Sequence, residues 1–437
     1  MIESGSSTRN LGSGRPTQDT AETTGRYVVV FEDDIEPAET LSASAGLSNV
    51  ADSRDFELQA MDMEATADAE ATVFSELGIA VVSVDPNQLG SMQTAEAARG
   101  KILAVSPELI HHVLHEDTGY VRGYRDGVSD FSGRLGAGTA GSAGISAAAE
   151  AGPTFDDSDE FTWGLQATGV STSSRSGQEV KVAVLDTGMD LAHPDFTGRT
   201  VTAESFVPGS PPQDRHGHGT HCIGTSCGPK TPTGSRRYGV AYEADIFAGK
   251  VLGDDGSGTD AGILAAINWA VANECPVISM SLGADVARPH PPYNAAGRRA
   301  LRRGSLIIAA AGNNASRPGD PGFVGAPANS PDILAVGALD SRLRIAEFSA
   351  RSLPGRGGQV DIAGPGVDVY SSWPMPTRYR TISGTSMATP HVAGIAALWA
   401  QATGRRGLDL WATLVKESRR LPLPAVDVGS GLALAPS

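Results

Sequence analysis

From Trp163 onward, short β-branched apolar runs alternate with helical stretches, and this alternation limits the possible folds more than any other feature of the chain. Glu179–Leu185, Ile246–Leu252, Pro276–Met280, Ser305–Ala310 and Ile333–Val336 read as strands, and Asp260–Ala272, His290–Arg303 and Pro390–Ala402 as helices. A strand that is apolar on both faces has to be covered on both faces, as in the parallel sheets of α/β proteins. The pattern predicts one α/β domain over residues 161–437, a mostly parallel sheet with helices on each side.

The first third is organised differently. Residues 1–25 are rich in Ser, Thr and Gly and read as a disordered tail. Arg26–Phe31 and Ile79–Val84 read as strands, Lys101–Val105 as a closing strand before Pro107, and Glu64–Leu77 and Leu89–Ala98 as helices. Together these predict a small α+β domain over 26–120. Residues 121–160 are small and polar and read as a flexible, protease-accessible linker.

Charge follows the same division. Residues 1–120 hold 21 acids and 6 bases, whereas residues 161–437 hold 22 acids and 25 bases, within a net charge of −16. This gives no basic footprint for nucleic acid. It fits either a solvated acidic domain or an acidic domain docking on a mildly basic one. No run of about 18 apolar residues is present to span a membrane, and the N-terminus lacks the apolar core of a signal peptide. Three cysteines, Cys222, Cys227 and Cys275, cannot all pair within the chain, and reduced thiols are expected.

Four motifs carry chemistry, and each has a bland reading. Asp186 ends the apolar run VAVLD of Val182–Gly188, at the strand end where α/β sites gather, yet a turn aspartate looks the same. A second Asp-Thr-Gly at Asp117–Gly119 lacks the preceding apolar strand that an aspartic protease would need. Asp214–Thr225 brings His216, His218 and His221 together in a Gly-rich loop, which suits a general base, a metal site or a structural role. Ser386 lies in ISGTSMATPHVAG at a turn before a helix, as a nucleophile or a cap, and 384–388 do not form the G-x-S-x-G elbow. Asn313 in AAAGNN follows an apolar strand, as an amide donor or a turn residue.

Taken together, Asp, His, Asn and Ser in this order resemble the subtilisin-like serine proteases over roughly Thr162–Ala435. HGHGTHCIGT (His216–Thr225) and GSRRYGVAYEADIFAGKVL (Gly234–Leu252) are most similar to the proteinase K branch. The resemblance implies a triad of Asp186, His218 and Ser386, an oxyanion-hole Asn313, and no cofactor for the chemistry. It implies substrate rims at Gly256-Ser257-Gly258 and Ser281-Leu282-Gly283, between which a peptide lies as an added strand. Gly325 at the base of the primary pocket implies a large apolar residue before the scissile bond. Asp260 stands where some relatives carry an aromatic residue, which leaves that subsite's preference open. Cys222 is implied to lie under His218.

Structural calcium is implied on Pro331, Ile333 and Asp361, while CGPKTPTG (Cys227–Gly234) replaces the Asn-rich calcium loop of the subtilisin branch. The first domain resembles an inhibitory, ferredoxin-like propeptide, so the expected partners are protein or peptide substrates and the chain's own prodomain, on a monomer. Tyr120 and Tyr124 are the expected processing points. The family implies secretion, and the absence of a visible signal leaves the cytoplasm as the other reading. A regulatory protein without turnover and an esterase or acyltransferase on the same triad remain open.

Overall fold

In the computed structural model, residues 21–98, 100–114, 153–355 and 357–437 are described. The second half is built on seven strands: β6 (Lys181–Asp186), β7 (Val201–Ser205), β8 (Asp245–Lys250), β10 (Val277–Met280), β12 (Leu306–Ala310), β13 (Leu334–Leu339) and β14 (Ile362–Pro365). They run in the order β14-β13-β12-β10-β6-β8-β7 and every pairing is parallel. All but Lys181, Asp245 and the residues of edge strand β7 are buried, which matches the near-continuous apolar runs. The sheet is thus the mostly parallel α/β sheet expected.

Helices α4 (His218–Cys227) and α7 (Thr385–Thr403) pack on one face, where Ile223, Met387, Val392 and Ile395 join Val182, Val184 and Ile308. Helices α5 (Asp260–Ala272) and α6 (Pro291–Arg302) cover the other, where Ile263, Ile267 and Tyr293 join Ala183, Leu185 and Ile278. Strand residues alternate between the two clusters because successive side chains point to opposite faces. Among the described residues, no helix is long and apolar enough to cross a membrane.

The N-terminal unit is a sheet of β1 (Thr23–Phe31), β2 (Val50–Asp52), β3 (Ala71–Phe74), β4 (Ile79–Val82) and β5 (Ile102–Val113), with helices α1 (Pro37–Ala45) and α2 (Pro86–Ala97) on one face. Val29, Phe31, Ala80 and Val82 face those helices. Val28, Val30, Ile79 and Val81 point the other way, into the same cluster as Ile263 and Ile267 of α5. The two units therefore share one apolar core. Around it, α6 presents its arginines to the acidic unit. Arg299 is buried and donates to the carbonyls of Phe31, Leu77 and Gly78, the last at 3.1 Å. Arg299 and Arg302 pair with Asp33, and Arg303 pairs with Glu76 at 2.8 Å. Of the two charge readings, docking is the one observed.

Several local expectations are corrected. Glu64–Leu77 is not a helix: residues 64–68 form turns held by Asp62 Oδ1, which accepts from Glu64 N and Ala65 N, and Ala71–Phe74 is β3. Thr72, Val73 and Phe74 favour a strand, and pairing with β4 buries all four residues of β3. Strand β1 starts at Thr23, inside the expected tail. The closing strand runs on through Pro107 to Val113, because Pro107 sits opposite Tyr27 beside a register shift where no ladder donor is required. Within the expected linker, Phe155 N already bonds Ser341 O and Asp157 Oδ1 accepts from Trp163 N.

Two buried histidines tie the helices down. His221 Nε2 donates to Val369 O at 3.0 Å, and His391 Nδ1 donates to Met387 O at 2.8 Å. Burial pushes His391 down to about 4 and His221 down to about 3, so both are neutral at pH 7. Below the ordinary histidine value of about 6.5 the unfolded chain holds protons that the native chain does not, so stability falls as pH drops from about 6.5 to 4. We expect the unfolding free energy of Ser386→Ala to decrease through this window. His391→Gln in that background should flatten the slope by up to about 1.4 kcal/mol per pH unit. Equal slopes in urea titrations of the two variants would contradict this.

Candidate active site

Asp186 is the last residue of β6, a central strand, and is fully buried. Its Oδ1 accepts the Thr187 N–H and the Nδ1–H of His218, both at 2.7 Å. His218 is the first residue of α4. The preceding Gly217 has φ 106°, and a Cβ there would fall 2.3 Å from the Trp373 ring, so the close turn that delivers His218 requires glycine.

That turn is organised by Asp214, which is buried. Its Oδ1 accepts from His216 N, Gly217 N and Thr187 Oγ1, and its Oδ2 from Thr220 N and Oγ1, at 2.7 to 3.0 Å. Burial pushes this carboxyl upward, against the pull of the hydrogen bonds from Thr220 and Gly217. Sequence reading singled out the histidines and passed over Asp214. The available signal was an Asp two and three residues before backbone donors in a Gly-rich loop.

Ser386 is the second residue of α7, inside the helix rather than before it. Its hydroxyl donates to Ser281 O at 3.0 Å, and its carbonyl accepts from Ser281 Oγ at 2.8 Å. This carbonyl is available because Pro390, four residues on, has no N–H to return to it. The Cys222 thiol, 3.6 Å away, also points to that oxygen and lies 3.8 Å from His218 Nδ1. One sulfur therefore touches the helix turn of Ser386 and the imidazole of His218, which brings the two motifs together. Burial pushes the Cys222 thiol well above its ordinary value, so it packs here as a neutral group. All three cysteines are free and buried.

Asn313 lies just past β12. Its Oδ1 accepts from Thr385 N at 2.9 Å and from Thr385 Oγ1 at 2.8 Å. Its Nδ2 is buried and has no hydrogen-bond partner among the described residues, which leaves a fixed donor beside Ser386.

A metal centre on the three histidines is not what the side chains build. Among the described residues, the one group of three with ligand atoms within 4.8 Å is Asp186, His218 and Cys222, where Nδ1 already bonds Asp186. His221 is engaged with Val369 O. The second Asp-Thr-Gly at 117–119, Tyr120 and Tyr124 lie outside the described residues.

The two rims are occupied by the chain itself. β9 (Ser257–Thr259) and β11 (Leu282–Gly283) both pair antiparallel with β5: Ile110, His111 and His112 face Thr259, Gly258 and Ser257, while His112 and Val113 face Gly283 and Leu282. Val113 N also bonds Gly256 O at 3.0 Å. Residues 110–113 thus form the strand expected of a bound peptide. The strand ends at Val113 opposite Leu282, next to Ser281, the partner of Ser386, and the Leu114 side chain follows against Gly283, where a Cβ would fall 2.9 Å from Leu114 Cδ1. A Cβ on Gly325 would fall 2.5 Å from Ala284 O, so glycine here also lets the backbones of 284 and 326 pair.

Pro331 and Ile333 lead into β13, whose Ala335 N donates to Asp361 Oδ2 at 2.8 Å. Burial pushes the Asp361 carboxyl up to about 7, and the backbone N–H of Ala335 is the pull in the other direction. A buried carboxyl with Ala335 N–H as its compensating donor fits a hard cation.

The subtilase family model matches residues 177–418, more than half of the chain. Subtilisin-like protease 2 of Pseudogymnoascus destructans is 39% identical over 248 residues, 54% of this chain and 57% of that protein. Subtilisin E of Bacillus subtilis is 39% identical over 263 residues, 58% of this chain and 66% of its own length. The match thus spans less than two thirds of each of these relatives. Among solved structures, sphericase superimposes with a TM-score of 0.55 at 33% identity, over 62% of this chain and 97% of its own. With the parallel sheet and the convergence of Asp186, His218, Asn313 and Ser386, these likenesses lead to one conclusion: the chain belongs to the subtilase family.

Proposed function

We propose that this chain is a serine endopeptidase made as a self-processed zymogen. Ser386 is the nucleophile, His218 its general base and Asp186 the group that fixes the imidazole tautomer. The observation that carries this reading is the chain's own strand in the cleft, with Val113 paired to Leu282, the neighbour of Ser281, which is hydrogen-bonded to Ser386.

In the reactive rotamer the Ser386 hydroxyl leaves Ser281 O for His218 Nε2, which takes the proton as Oγ attacks the scissile carbonyl. The Asp186 carboxylate stabilises the imidazolium that results. The oxyanion receives Asn313 Nδ2 and the backbone N–H of Ser386, at the positive end of α7. The imidazolium then gives its proton to the leaving amine, and water, activated by the same base, hydrolyses the acyl-enzyme. Asn313 is already turned for this task, because Thr385 holds its Oδ1 and leaves its Nδ2 for the substrate. We expect Asn313→Ala to lower kcat on a peptide ester by about 10²–10³, the usual cost of removing one such donor from a subtilisin. An unchanged kcat would contradict the role.

Self-processing then cuts between Leu114 and His115, in place of Tyr120 or Tyr124. Leu114 fits the preference for a large apolar residue before the scissile bond, with Gly283 against its side chain. N-terminal sequencing of the purified chain should find a mature start at His115, while Ser386→Ala stays intact. An intact wild type, or a start elsewhere, would contradict the assignment. The N-terminal unit remains as an inhibitor after the cut, held by the shared apolar core and by Arg299.

Calcium would be held by Asp361 with the Pro331 and Ile333 carbonyls, as a structural ion that ties the start of β13 to β14. Chelation should lower the Tm of Ser386→Ala by several degrees, and Asp361→Asn should show the lower Tm with no further response. A Tm of Ser386→Ala indifferent to chelator would remove the calcium site from this account.

A further inference from the structure

Asp260, the first residue of α5, is a fully buried carboxylate at the wall of the cleft. Four groups converge on it. His111 Nε2 donates to Oδ1 at 2.8 Å and Tyr293 OH to the same oxygen at 2.7 Å. His290 Nε2 donates to Oδ2 at 3.2 Å, and Leu109 N to that oxygen at 2.7 Å. Two of these, Tyr293 and His290, belong to the catalytic unit and stay with it. The other two come from β5, the strand that occupies the cleft, and leave when it leaves. His111 is fully buried, with its ring edge-on to Tyr293 at 5.4 Å and 86° between the planes. It lies three residues before Leu114, in continuous antiparallel register with Gly258.

We propose that Asp260 selects substrates with a histidine at the fourth position before the scissile bond, an inference that rests on the endopeptidase reading above. Once β5 departs, the pocket keeps a carboxylate with only part of its donors. A substrate histidine restores one of the two lost donors, the imidazole, in the same place. An aromatic or aliphatic side chain would desolvate the carboxylate without replacing that hydrogen bond, and a glutamate would add like charge. Tyr293 shapes the pocket for a flat ring, since its OH lies 3.2 Å from His111 Nε2 and its own ring stands across the imidazole edge. The chain's own sequence before the cut, His111-His112-Val113-Leu114, is then the template of a good substrate.

The test uses the processed enzyme and four fluorogenic peptides, Xaa-His-Val-Leu followed by the reporter, with Xaa as His, Phe, Ala or Glu. Wild type should show kcat/KM about tenfold or more higher for His than for Phe or Ala, and lowest for Glu. Asp260→Asn should shrink the His advantage, and Asp260→Leu should reverse it in favour of Phe. Fluorophosphonate titration normalises each variant to its folded, active fraction. Equal cleavage of all four peptides by wild type, or a His preference that persists in Asp260→Leu, would overturn the selectivity while leaving the protease reading intact. No cleavage and no labelling by wild type would overturn both.

Discussion

The architecture depends on one antiparallel pairing, in which residues 110–113 are laid between β9 and β11. An edge strand in need of a partner is satisfied on both sides, and the backbone bonds that hold it are the same ones a substrate would use. Because β5 is also paired with β1, the pairing in the cleft is continuous with the N-terminal sheet. That sheet's inner face, Val28, Val30, Ile79 and Val81, merges with α5 in one core. The cleft cannot open by moving the strand alone. The domain interface and the occupied cleft are one mechanical unit.

The proposed catalytic groups depend on departures from regular structure rather than on its continuation. Gly217 adopts a left-handed conformation so that α4 starts on His218. Pro390 breaks one helical bond, and the carbonyl it frees ties Ser386 to Ser281 at the edge of the cleft that β5 fills. Asp214 spends its carboxylate on shaping the histidine loop, accepting from five donors. These choices cost local stability and give a fixed geometry at the point where charge develops.

The catalytic half was legible because its signals are strong at the level of sequence. Long apolar strands have no alternative to a covered sheet, and Asp186, His218, Asn313 and Ser386 each occupy a strand end or helix start that composition and glycine placement reveal. The N-terminal half was less legible. Helix α1 carries Pro37 at its first turn and Gly46 with φ 70° at its end, signals that were available and passed over. Thr72, Val73 and Phe74 favour a strand, but the Ala- and Glu-rich residues on either side mask that short run until its pairing with β4 is seen. His111 was invisible for a deeper reason. Its meaning lies in Asp260, 149 residues away, and no local pattern announces that contact.

The central claim is that Ser386 is an activated nucleophile kept idle by the chain's own strand, and active-site labelling addresses it most directly. A fluorophosphonate probe, followed by peptide mapping, should place the adduct on Ser386 once residues 1–114 have been removed. The adduct should be absent from His218→Ala and strongly reduced while the N-terminal unit remains docked. Labelling that is missing from the stripped enzyme, falls on another residue, or persists undiminished in His218→Ala would contradict the account.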